Sequence, residues 1–122
     1  MTFPIRLITS AGVLEATLVE SLATRDLLAL LPLELTLRDY AGTEKVSDLP
    51  RRLAIEDAPA GVKPEVGDLT YYAPWGNLAI FYRDFGYAKG LVKLGRIDSG
   101  LELLSGADGL PLRVERAEPP VT

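Results

Sequence analysis

The sequence predicts a mainly β domain, a closed barrel of about eight short strands with two helices capping its open ends. Three observations carry this. Short segments alternate apolar and polar side chains, the period of a strand that buries one face. Glycine and proline punctuate these segments at close intervals, as they do between the strands of barrels. Helical patterns occur at two places only, so helices do not alternate with strands as a doubly wound α/β fold requires. A chain of 122 residues, 48% apolar and 25% charged, has the balance of one globular domain and can bury a core without disulfides or metal.

The elements follow in order. Phe3 to Thr9 predicts a strand and Gly12 a turn. Val13 to Val19 alternates, with Leu14, Ala16 and Leu18 on one face and Val13, Glu15, Thr17 and Val19 on the other, so the two segments form a hairpin. Ser21 can cap a helix through its hydroxyl, and Leu22, Leu27, Leu28, Leu30 and Leu31 supply that helix with an apolar stripe opposite Arg25 and Asp26. Pro32 ends it, because the residue before proline disfavours α geometry. Leu33 to Leu37 resumes alternation with three leucines inward. Asp39 to Leu53 is polar and mixed, and Asp57 to Gly67, with Pro59, Gly61 and Pro64, predicts an exposed loop. Asp68 to Ala73 and Leu78 to Tyr82 predict strands either side of a Pro74-Trp75-Gly76-Asn77 turn, and Leu91 to Ile97 another. Asp98 or Ser99 can cap a short second helix over Gly100 to Leu104, and Leu110 to Val114 is the last strand. The domain is placed at residues 1–117, with Pro119-Pro120 in a frayed tail over 118–122.

Composition excludes several function classes. Net charge is −4, and the 13 Lys and Arg are dispersed apart from Arg51-Arg52, so the basic face that phosphate neutralisation needs is missing and nucleic acid is not an expected partner. Cysteine is absent, which removes thiol nucleophiles, Zn–thiolate sites and Fe–S clusters. Histidine is absent too, so there is no Ser–His or Cys–His pair, no imidazole ligand and no imidazole acid/base near neutral pH. Gly86, Gly90 and Gly95 lack dinucleotide or P-loop spacing. No cofactor and no metal are expected. The apolar run Leu27 to Leu33 is too short to span a bilayer and no apolar leader follows Met1, so the expected location is the cytoplasm, without membrane association.

The order of elements resembles that of cyclophilins: hairpin, helix, strands, long loop, strands, short helix, final strand. Two stretches carry the resemblance locally, Val92-Lys93-Leu94-Gly95-Arg96-Ile97-Asp98-Ser99-Gly100-Leu101 and Gly76-Asn77-Leu78-Ala79-Ile80-Phe81. A nearer likeness is to the bacterial cyclophilin-like proteins of unknown function. It runs through Asp39-Tyr40-Ala41-Gly42-Thr43-Glu44-Lys45, Leu49-Pro50 and Leu53, then Gly67-Asp68, Tyr71 to Tyr82 and Gly95-Arg96-Ile97. The resemblance implies a cyclophilin-like barrel. It also implies a departure from prolyl isomerases. Thr43-Glu44-Lys45 falls where those enzymes carry an arginine, and lysine cannot reproduce a planar bidentate donor. Leu78 and Ala79 fall near the glutamine and phenylalanine of the proline pocket, and its histidine has no counterpart.

Seven of the nine aromatic residues lie between Tyr71 and Tyr87. Strand neighbours point to opposite faces, so one ring of each adjacent pair is expected in the core. Trp75 sits in a Pro-Trp-Gly-Asn turn, where core packing is least expected and a ligand platform is the better account. The expected site is a shallow pocket lined by Trp75, Asn77, Tyr72 or Tyr71, Glu44 and Lys45, binding a small molecule or extended peptide without catalysis. Two alternatives compete. One is a weak prolyl isomerase in which Lys45 or Arg51 replaces the missing arginine. The other is a partner-binding subunit whose exposed leucines and aromatics form a homodimer face.

Overall fold

The structure, a computed structural model, describes residues 1–105 and 108–117. The predicted tail at 118–122, with Pro119-Pro120, lies outside the described residues. The strands are β1 (Thr2–Thr9), β2 (Gly12–Val19), β3 (Leu33–Tyr40), β4 (Glu44–Asp48), β5 (Gly61–Val62), β6 (Asp68–Tyr72), β7 (Asn77–Phe81), β8 (Ala88–Lys89), β9 (Leu91–Ser99) and β10 (Leu110–Arg116), with helix α1 (Leu22–Leu30) between β2 and β3. Eight of them close an antiparallel barrel in the order β1-β10-β3-β4-β7-β6-β9-β2, while β5 and β8 form a separate two-stranded ribbon. No helix of the described residues is long and apolar enough to cross a membrane.

The leucine alternation seen in the sequence builds the interior. Leu14, Ala16 and Leu18 of β2, Leu35 and Leu37 of β3, and Leu112 and Val114 of β10 are buried in one cluster with Ile5, Leu7, Leu69, Tyr71, Leu78, Ile80 and Leu94. Ser21 caps α1 as its hydroxyl accepts from the Thr24 N–H at 3.0 Å. The face that α1 buries is Ala23, Thr24, Leu27 and Leu28, with Leu30 and Leu31 packed against the core; of the expected stripe only Leu22, in the first turn, is exposed.

Three local expectations are corrected. The segment expected to be mixed and polar after β3 is strand β4, paired on both sides, with Tyr40 opposite Glu44 and Glu44 opposite Phe81. Its sequence, Glu-Lys-Val-Ser-Asp, has one apolar residue because its inward lysine brings an alkyl stem rather than a hydrophobe. The second helix is a single 3-10 turn, Leu101–Leu104, so the described residues hold one α-helix, not two. Asp98 and Ser99 do not cap it; both belong to β9, and Asp98 accepts from the Thr17 hydroxyl at 2.6 Å. Gly100 opens the turn at φ 91°, and a Cβ there would lie 2.9 Å from the Val13 carbonyl oxygen. The strand register puts the two plugs at opposite ends of the barrel: α1 leads from the end of β2 to the start of β3, the 3-10 turn from the end of β9 to the start of β10.

Outside the barrel wall, a second and smaller cluster joins Ala79, Phe81 and Leu91 to Val46, Val62, Tyr72 and Ala88. The β5–β8 ribbon thus covers part of the outer face of β4, β7, β6 and β9, and leaves a recess beside it.

Candidate functional site

That recess is a cavity of about 200 Å³ lined by Tyr40, Glu44, Val46, Tyr72, Trp75, Asn77, Phe81, Phe85, Ala88 and Leu91. Register explains how residues remote in sequence meet there. Tyr40, Glu44 and Phe81 stand across from one another on β3, β4 and β7, and Tyr72 stands between Asn77 of β7 and Leu91 of β9. Directly opposed residues share a face, so these rows place three aromatic rings, one carboxyl and one carboxamide on the outside of the wall, and Trp75 and Phe85 join them from the adjoining turns.

Trp75 is held by its turn. The Trp75 and Gly76 N–H groups donate to the Tyr72 carbonyl at 3.2 and 2.9 Å, and Gly76 adopts φ 67° to close the turn. Neighbouring segments brace it: the Ala73 N–H donates to Gly90 at 2.9 Å, the Leu49 N–H to Gly76 at 3.2 Å, and the Arg52 guanidinium to Ala73 at 2.6 Å. The indole, 54% exposed, meets Tyr40 and Tyr72 edge-on, with centroids at 5.3 and 5.2 Å and interplanar angles of 79° and 83°. The turn thus holds a half-open apolar ring at the edge of the recess.

Besides the tyrosine hydroxyls, the cavity holds two polar groups, a half-buried carboxyl and a buried carboxamide. Burial pushes the Glu44 carboxyl up from 4.5 to about 7, and no cation offsets that desolvation. The Asn77 side chain is 4% exposed and its Oδ1 has no hydrogen-bond partner. A buried acceptor without a donor is costly, and such exceptions call for an explanation.

The six residues singled out from the sequence divide accordingly. Glu44, Tyr72, Trp75 and Asn77 come together in the cavity. Tyr71 and Lys45 do not line it. Tyr71 is 1% exposed in the barrel interior, where its hydroxyl accepts from the Leu53 N–H at 3.1 Å and ties the 49–55 segment to the core. Lys45 points to the other side of β4. Its Nζ lies 3.3 Å from the Asp39 carboxylate and 5.3 Å from the Tyr82 ring centroid. The Tyr82 hydroxyl also donates to Asp39, which holds that carboxyl below its usual range and the phenol above its own. These three residues edge a different, wider depression at the barrel mouth together with Leu101, Glu102 and Ser105. Arg51 and Arg52 do not line the cavity, so no lysine or arginine does.

Sequence reasoning did not find Tyr40, Val46, Phe81, Phe85, Ala88 and Leu91 as lining residues. Phe81 and Phe85 lay within the aromatic cluster, but the face of Phe81 follows from β4–β7 pairing, and β4 carries no strand pattern; Phe85 lies beyond β7, its ring centroid 6.3 Å from that of Phe81. Among the described residues no three acidic side chains converge as a metal site would need.

Among solved structures, the chain is similar to a hypothetical protein of Archaeoglobus fulgidus known from its solution structure. The TM-score is 0.68 at 20% sequence identity, covering 94% of this chain and 95% of that one, a likeness of fold. No curated protein matches. The sequence pattern of the Cyclophilin-like family matches residues 7–115. With a closed barrel plugged at both ends and a match across nearly all of it, the chain belongs to the Cyclophilin-like family.

Proposed function

We propose that this protein is a binding module that takes a small organic ligand, free or as part of a peptide, into the outer cavity and performs no chemistry on it. One observation carries the proposal: a preformed apolar recess that holds a half-buried carboxyl, Glu44, with no cation beside it, and a buried carboxamide oxygen, Asn77 Oδ1, with no hydrogen-bond partner. Ligand sites are commonly apolar recesses with a few convergent polar groups. Size agrees with a modest occupant. An engineered cavity of about 150 Å³ holds benzene, and this one measures about 200 Å³. Absence of a nucleophile–base pair around the recess favours binding over catalysis.

A thermal-shift screen of small aromatic and amine-bearing metabolites tests the proposal. A ligand that binds only the native state raises apparent stability by about 2.7 kcal/mol at a hundredfold excess over Kd. Trp75→Ala is expected to lower the unliganded melting temperature modestly, through loss of two edge-on ring contacts, and to abolish the shift. A ligand whose shift survives Trp75→Ala in full would place binding elsewhere.

A further inference from the structure

We propose that the occupant of the outer cavity is a small organic cation, a protonated amine on an aromatic or short apolar stem, held by the Glu44 carboxylate, the rings of Tyr40, Tyr72 and Trp75 and the Asn77 carboxamide oxygen. The inference rests on the cavity being a ligand site, as proposed above, and adds the charge and donor pattern of what fills it.

Charge is the first argument. Glu44 is the only acidic or basic side chain, tyrosines apart, among the lining residues. Lys45, its neighbour in sequence, faces the opposite side of β4 and is engaged by Asp39. An anion would meet Glu44 unfavourably, and a neutral ligand would leave its burial uncompensated. A cation restores what burial removes.

The rings are the second argument. Tyr40 and Tyr72 each stand nearly perpendicular to Trp75, and the three rings border one small space with the Glu44 carboxyl group. Aromatic faces attract cations, and enclosures of this kind recognise alkylammonium groups.

Donor pattern is the third. Glu44, when ionised, and Asn77 Oδ1 are both acceptors. The oxygen is enclosed, and the broad final torsion of asparagine lets it turn toward the cavity when a donor arrives. An ammonium group carries three donors and can serve both acceptors. A quaternary ammonium carries none and would leave Asn77 unsatisfied.

Benzylamine and its neutral near-isostere benzyl alcohol are suitable probes, followed by NMR of the ¹⁵N-labelled protein at pH 7.5. Benzylamine is expected to shift the Trp75 indole N–H and the Asn77 side-chain signals, and to bind roughly tenfold or more tightly than benzyl alcohol, a difference of about 1.4 kcal/mol. Glu44→Gln keeps the shape and removes the charge, so it should lower benzylamine affinity severalfold toward that of the alcohol, the ring contribution remaining, and leave the alcohol nearly unchanged. N,N,N-trimethylbenzylammonium should lose affinity relative to benzylamine and leave Asn77 unshifted. A blocked lysine, N-acetyl-lysine methylamide, distinguishes the source: binding extends the site to lysine side chains of a peptide, and failure confines it to free amines. Equal affinities for benzylamine and benzyl alcohol, with the Trp75 signal responding to both, would overturn the cation inference and keep the ligand site. Silence of the Trp75 indole toward all probes would overturn both.

Discussion

Glu44 is a carboxylic acid placed where its charge is disfavoured. Its folded-state pKa, about 7, lies above the ordinary 4.5 because burial penalises the anion. The native state therefore holds this proton more tightly than the unfolded chain between those values. Stability contributed by Glu44 is present below pH 4.5 and is lost as pH rises toward 7, after which it levels off. Solvent screening at a partly exposed group reduces the effect to roughly 1–2 kcal/mol. Asp39 has the opposite sign: its depressed pKa, owed first to the Tyr82 hydroxyl, adds stability that fades as pH falls through the acid range. Urea unfolding at pH 3, pH 5 and pH 8 separates the two, because Glu44→Gln should remove the loss between pH 5 and pH 8 and leave the acid limb between pH 5 and pH 3 intact. Parallel pH profiles for wild type and Glu44→Gln would contradict this assignment. The same residue shows what sequence could and could not tell. Glu44 and Lys45, like Tyr71 and Tyr72, are adjacent in the chain, and alternation guarantees that each pair splits between faces. Which member takes the outer face depends on what each strand is paired with.

At the scale of the element, β9 does the most to shape the wall. Its pairing shifts by one residue between Leu69 and Thr70 of β6 and again between Glu15 and Ala16 of β2, which leaves Leu94 and Asp98 as the extra residues of two bulges. Between them Gly95 lets β2 come close. A Cβ at that position would sit 2.0 Å from the Thr17 carbonyl oxygen and 2.7 Å from the Leu18 Cα, contacts with backbone that cannot swing aside. Gly95→Ala is expected to cost about 3 kcal/mol in denaturant unfolding. Gly86→Ala, with nothing within 4 Å and no positive φ, should change stability by less than about 0.5 kcal/mol. Equal effects of the two substitutions would refute the close-approach argument. Most elements were legible in the sequence, because their apolar periodicity matches the side they bury: β1, β2, β3, β6, β7, β9, β10 and the Ser21-capped helix. Strand β4 was not. It is held from both sides by backbone bonds, needs little hydrophobicity of its own, and carries Glu44 to the cavity. The β5–β8 ribbon was hidden for a similar reason, since two-residue strands leave no periodicity to read.

At the scale of the whole molecule, the fold does not by itself assign an activity, as in many widely used architectures. A barrel of the Cyclophilin-like family could be taken for a prolyl isomerase, but here no guanidinium or ammonium of the chain lines the outer cavity, and Lys45 is committed to Asp39 across the wall. A peptide isomerisation assay with the purified protein is expected to give no rate above the uncatalysed background. A catalysed rate that Lys45→Ala abolishes would overturn this.

By itself the sequence determined the class of fold, since leucine-rich alternation with glycine and proline breaks admits few other ways of burying one face per strand. It also determined which chemistries are closed to the protein, since a chain without cysteine or histidine cannot supply thiolate or imidazole. Only the tertiary structure decided which polar groups share a space. Barrel closure sets the register, and register alone brings Tyr40, Glu44 and Asn77 to one recess while turning Lys45 and Tyr71 away from it. Charge and hydrogen-bond balance at a site is a property of distances in space, and alternation along a strand fixes only the choice between two faces.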